Sequence, residues 1–157
     1  MTYPSRFCAL SVVILAFLAA GQTFAAPMPT NSVGLGLMVG EPTGFSGAYT
    51  LSPTNTIDAA LAYSLARQGA WQLHSDYLFT NNQWFQSQPA DVEPYFGLGA
   101  RLKFEDSTRF GARVPVGANY QFPSQPIEFF GEIVPILDFA PGVALSIDVS
   151  VGARYFF

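Results

Sequence analysis

The sequence is poor in charge, in cysteine and in long apolar runs, and each shortage excludes something. Asp, Glu, Lys and Arg make up 11% of its 157 residues, where a soluble domain carries about 25%. Half of the residues are nonetheless hydrophobic and 15% are aromatic. The formal net charge is −4 and no basic stretch occurs, which argues against a nucleic-acid surface. A single histidine, His74, leaves no cluster with the spacing of metal ligands, and no phosphate-binding loop or catalytic carboxylate pair stands out. No cofactor is expected.

The longest apolar run, Ala9 to Ala20, is too short for a membrane-spanning helix, which needs about 20 apolar residues. Arg6 precedes it and Thr23-Phe24-Ala25 follows it as a small-x-small site, so residues 1–25 read as a secretory signal peptide. A cut one residue later would put Pro27 first in the mature chain. Cys8 lies before the run, unlike a lipoprotein cysteine, and leaves with the signal, so no disulfide framework is open to the remainder. Residues 26–157 suffice for one domain, with no repeat of solenoid length and no dividing linker.

High apolarity without long runs is what alternation produces. Eight strands follow from period-two patterning and the turn residues between them: about Ser32 to Gly40, Gly44 to Leu51, Thr56 to Ala66, Ala70 to Phe79, Val92 to Phe104, Thr108 to Phe122, Ile127 to Phe139 and Val143 to Phe157. The longest connection, Thr80 to Asp91, is rich in Asn, Gln and Pro. Pro115 and Pro135 each remove a ladder donor inside a strand, so bulges or local gaps are expected there.

The phase of the charges is the decisive pattern. Asp58, Asp76, Arg101, Lys103, Arg109, Arg113, Glu128, Glu132, Asp138, Asp148 and Arg154 all share the face opposite the large apolar side chains. Periodicity alone does not say which face is outside. The aromatics of the apolar face do. With an up-and-down order, Phe45, Tyr63, Trp71, Phe104, Phe110 and Phe139 gather toward one rim. Tyr49, Tyr77, Phe79, Phe96, Tyr120, Phe122, Phe129, Tyr155 and Phe157 gather toward the other, with an aliphatic belt between. Such girdles match the two interfaces of a bilayer. A sheet in lipid must close, because unpaired backbone at an edge has no water to bond.

The expected fold is therefore all-β, an eight-stranded antiparallel up-and-down transmembrane β-barrel. Such a barrel is just wide enough for its side chains to fill. Inside it, Gly34, Gly36, Gly97, Gly99, Gly111, Gly117 and Gly152 are expected to make room for the long charged chains. Counting out from the last turn places Glu128 opposite Arg154.

The last strand resembles the closing strand of bacterial outer-membrane β-barrels, through Val149, Val151, Ala153, Tyr155 and Phe157 at alternate positions. The whole pattern after residue 25 resembles the small OmpA/OmpX-like barrels. That resemblance implies an outer-membrane location, membrane lipid as surroundings, a monomer, and recognition of those five residues by the barrel assembly machinery. Relatives serve as anchors, adhesive scaffolds or, less often, lipid-modifying enzymes. With both ends periplasmic, the connections facing outward are short (Glu41 to Thr43, Arg67 to Gly69, Glu105 to Ser107 and Ala140 to Gly142), unlike those of adhesive members. The leading reading is a non-enzymatic barrel of structural or interaction role, its interior plugged by paired charges. Two alternatives stay open, a lipid-acting barrel enzyme and a soluble periplasmic barrel with an apolar ligand. For the enzyme, His74 and Asp76 share a face, and hairpin counting puts Ser64 diagonally across from His74, on paper a nucleophile, base and acid. A polar interior collects such residues without any chemistry.

Overall fold

In the computed structural model, residues 30–64, 69–80 and 92–157 are described. The signal peptide, most of the Thr80 to Asp91 connection and part of the Arg67 to Gly69 turn lie outside them. Nine strand segments follow one another: β1 (Val33–Glu41), β2 (Thr43–Ser52), β3 (Asn55–Ser64), β4 (Ala70–Thr80), β5 (Val92–Phe104), β6 (Arg109–Arg113), β7 (Val116–Gln121), β8 (Ile127–Ala140) and β9 (Ala144–Phe156). Every pairing is antiparallel and joins neighbours, and β1 pairs β9 to close the ring. Segments β6 and β7 both pair β5 on one side and β8 on the other, so they are halves of one strand. The barrel thus has eight strand positions, as alternation predicts.

The interruption falls at Val114 and Pro115. Pro115 accepts a hydrogen bond from the Gly97 amide (2.8 Å), and Pro135 accepts one from the Val114 amide (3.0 Å). Neither proline can donate the reciprocal bond, so each seam of this strand loses one rung at the same height. The expected gap is there. The expected bulges are not, since the β5 and β8 registers run unchanged across the interruption, and Pro135 sits opposite Ile147 in an unbroken β8–β9 ladder. The register shifts lie instead between Thr50 and Ser52 and between Phe110 and Gly111.

Side chains alternate strictly through the wall. Leu35 is 57% exposed on the outside and Val151 53%, while Arg113 is 1% exposed on the inside. The outer rings touch within their two bands. Tyr63 meets Trp71 and Phe110 meets Phe139 at the rim away from the termini. Tyr77, Phe79 and Phe96 form one chain of contacts at the other rim, Tyr120, Phe122 and Phe129 a second, and Tyr155 with Phe157 a pair.

The inward glycines act differently from expectation. A Cβ on Gly34 would strike the Phe156 ring, on Gly152 the Phe130 ring, and on Gly117 the Tyr95 ring. Gly99 and Gly111 lie against the carboxylates of Asp76 and Asp138. The close approaches are thus to rings, carboxylates and neighbouring backbone, and none is to a guanidinium. Phe130, Met38, Ala60 and Ala62 form an apolar cluster in the lumen, where Leu78, Val134, Ile136 and Phe156 are also buried.

Candidate functional site

The lumen holds three charge clusters stacked along the barrel. Alternation on β3 to β9 turns all eleven residues of the charged face inward. Lys103 and Arg109 are half-buried at one mouth and the rest are buried.

Nearest the termini is Arg154. Its register partner is Glu128, as counting from the turn predicts, and Nη1 donates to Glu128 Oε1 at 3.1 Å. Nε and Nη2 donate to Ser46 Oγ at 2.9 and 2.7 Å, and Nη2 also bonds Asp58 Oδ2. The guanidinium carbon stands 4.0 Å from the centroid of Phe130, within cation–π range.

At mid-height, Arg113 reaches Asp76 (Nε to Oδ2, 3.0 Å) and Glu132 (Nη2 to Oε1, 3.3 Å). Ser150 and Tyr95 donate to the two oxygens of Glu132, both at 3.2 Å. His74 lies beside Asp58, Nε2 to Oδ1 4.0 Å.

At the turn end, Arg101 holds Asp138 in a two-bond fork, 3.1 and 2.8 Å, and donates to Ser146 Oγ at 2.9 Å. Asp148 takes a bond from Gln72 (3.1 Å) and a longer one from Arg101 (3.5 Å). Above them, Glu105 receives Lys103 (3.1 Å) and Arg109 (3.0 Å). Slight burial pulls the Glu105 carboxyl upward, but hydrogen bonds and charge from Lys103 and Arg109 outweigh it and lower the pKa. A cavity of about 270 Å³ opens here between Glu41, Arg101, Lys103, Arg109, Asp138 and Asp148. The opposite mouth has about 30 Å³ beside Glu128 and Phe156, roughly one water's share of liquid volume.

Ser64 and His74 do not meet. Ser64 is opposite Ala70 and His74 opposite Ala60, so the ladder differs by two residues from the hairpin count. The Ser64 hydroxyl donates to Glu41 instead. The same register sets Asp58 directly opposite Asp76. Asp58, His74 and Asp76 each offer a ligand atom, and these atoms lie within 4.8 Å of one another. Sequence reading missed this trio, although His74-x-Asp76 on one face was visible. It also missed Ser46, Gln72, Tyr95, Ser146 and Ser150 as partners of the charges.

The five residues of the closing strand form the outer row of β9. Its ladder with β1 runs from Gly34–Phe156 to Glu41–Val149, and the Phe157 amide extends it to the Val33 carbonyl at 2.9 Å. Phe157 is 76% exposed.

A closed antiparallel ring with an apolar outside and a charged lumen defines a β-barrel of inverted polarity. The solved N-terminal β-barrel domain of OprF from Pseudomonas aeruginosa is similar to it in fold. The TM-score is 0.64, covering 82% of this chain and 98% of that one, at 15% sequence identity. The fold is thus that of the small OmpA-like barrels whose pattern the sequence resembles. No protein-family model matches the sequence, and no curated protein matches it.

Proposed function

We propose that this chain is an integral outer-membrane β-barrel protein of structural or interaction role, without enzymatic activity, its lumen plugged by paired charges. The observation that carries the reading is the inverted polarity. Apolar exposure around the whole circumference opposes solubility in water and suits a bilayer, because burying such side chains stabilises by about 1.5–3 kcal/mol each. The two aromatic bands bound that surface as interfacial girdles do. Likeness to the OprF barrel domain supports a barrel of this kind. Against the lipid-acting alternative stands the separation of Ser64 from His74.

In this reading residues 1–25 direct export, and the β9 row ending in Phe157 is what the assembly machinery reads. The barrel is a monomer. Arg101, Arg113 and Arg154, each bridging two carboxylates across the lumen, leave no aqueous channel of porin size.

The experiment is cell fractionation joined to detergent-gel mobility. Protein in the outer-membrane fraction, migrating differently folded and boiled, is the expected result. Recovery as a soluble periplasmic monomer overturns the proposal in favour of a soluble barrel.

A further inference from the structure

We propose that Asp58, His74 and Asp76 form a buried site for one divalent first-row transition-metal ion of the zinc type. Three independent observations converge on the trio.

The first is charge. The two deeper clusters contain four buried carboxylates, Asp58, Asp76, Glu128 and Glu132, and two guanidiniums, Arg113 and Arg154. Four less two leaves an excess of two negative charges in a low-dielectric lumen, where charge must be paired or neutralised. One divalent cation balances it.

The second is orphaned polarity. Asp76 is 2% exposed, yet neither carboxylate oxygen accepts a hydrogen bond. Arg113 Nε is close enough but misaligned, so that it too has no hydrogen-bond partner. A buried acceptor left in this way costs about 1–3 kcal/mol, more when charged, and a coordination bond removes that cost.

The third is geometry. Asp58 and Asp76 face each other directly across the β3–β4 ladder, where like charges repel unless something positive lies between. Arg154 occupies Asp58 Oδ2, leaving Oδ1 turned toward His74 Nε2 at 4.0 Å. Zinc takes imidazole nitrogen at about 2.0–2.1 Å and carboxylate oxygen at about 2.0–2.2 Å, so one ion can contact both. The three ligand atoms lie within 4.8 Å of one another, so the trio must draw together on the ion to reach bonds of about 2 Å. One imidazole with two carboxylates selects a transition ion over calcium or magnesium, which prefer all-oxygen shells.

The competing way to cancel the excess is two protons on the carboxylates, and the test separates the two. The protein is unfolded in denaturant with chelator, refolded into detergent with or without cobalt(II), and freed of loose ion, so that access to the lumen is not limiting. One equivalent of retained cobalt with the visible absorption of a low-symmetry nitrogen–oxygen site is expected. His74→Ala and Asp76→Asn should each lower the affinity at least about 100-fold, beyond the loss of an outer-shell partner. Because a variant can fail to fold, the unsubstituted barrel supplies a second measurement: zinc present during refolding should raise its unfolding midpoint relative to chelator. No stoichiometric cobalt in the unsubstituted protein overturns the proposal, as does cobalt that survives both substitutions. A midpoint indifferent to zinc, with a carboxylic-acid stretch in the infrared spectrum that zinc does not remove, overturns it in favour of protons.

Discussion

Two arginines in one lumen, Arg101 and Arg113, are set among carboxylates in the same way on paper and are bonded very differently. Arg101 rises from β5, a strand continuous over 13 residues, and its fork on Asp138 is aligned at both prongs. Arg113 is the last residue of β6, immediately before the interruption at Val114 and Pro115. Its Nε and Nη1 donate no hydrogen bond, and Asp76, whose Oδ2 lies 3.0 Å from Nε, accepts none at either oxygen. The difference teaches that buried ion pairing depends on the backbone beneath it. The fork on Asp138 holds although Asp138 adjoins the register shift opposite Gly111, whereas the two prolines remove a rung from each seam beside Arg113.

Substitution is the strongest way to break this comparison. Arg101→Met leaves Asp138 only the more distant Arg109 at 3.9 Å and loosens Asp148, so a loss of about 3 kcal/mol is expected, the lower end of the cost of breaking a buried pair. Arg113→Met also leaves Asp76 and Glu132 without their guanidinium, so it should cost less only by the aligned bonds it does not forfeit, about 0.5–1.5 kcal/mol each. Equilibrium denaturation of both variants in detergent gives the order, and equal losses refute the contrast. Restoring a rung sharpens it. Pro135 points outward, so Pro135→Val returns a donor to the Val114 carbonyl without disturbing the lumen. A gain of about 0.5–1.5 kcal/mol is expected, together with a protected new amide at residue 135 and slowed exchange at its neighbours. No gain means that the missing rung is already compensated.

The smallest effect lies at the mouth. Glu105 has a lowered pKa when folded, so the folded state binds fewer protons than the unfolded one as the pH falls past the ordinary value of 4.5. Its contribution is complete above that value and is lost as the pH drops through the folded pKa. Solvent screening holds it to at most about 1 kcal/mol. Glu105→Gln should cost up to that amount at neutral pH and almost nothing once the pH is below the folded pKa, so that the acid limb flattens. A variant that loses as much in acid as at neutral pH contradicts the assignment.

Alternation made the wall legible because period two reports faces directly. The strand limits agree with the sequence reading to within a residue or two where both are described, and the interruption at Pro115 followed from its missing donor. Glu128 opposite Arg154 was countable because the Ala140 to Gly142 turn is tight. Ser64 and His74 were misplaced by the same method, since a slip of two residues keeps every side chain on its face and moves only its partner. The apolar cluster was hidden for a related reason. Met38 and Phe130 are distant in sequence and flank Gly152 on one rung, one from β1 and the other from β8, a meeting across the closing seam that no single strand encodes. The glycines were correctly put inside and given the wrong neighbours, because alternation assigns a side and not a height.

The seam between β1 and β9 has a consequence for how the chain is made. Its rungs join residues 34–41 to residues 149–156, so this ladder cannot begin until every strand between them has been made. Closing so long a loop is slow, as contacts of high sequence separation are. Until then β1 and β9 both present bare edges, each able to pair with a strand of another chain. The open sheet therefore carries two sticky margins, and the single β1–β9 pairing covers both at once.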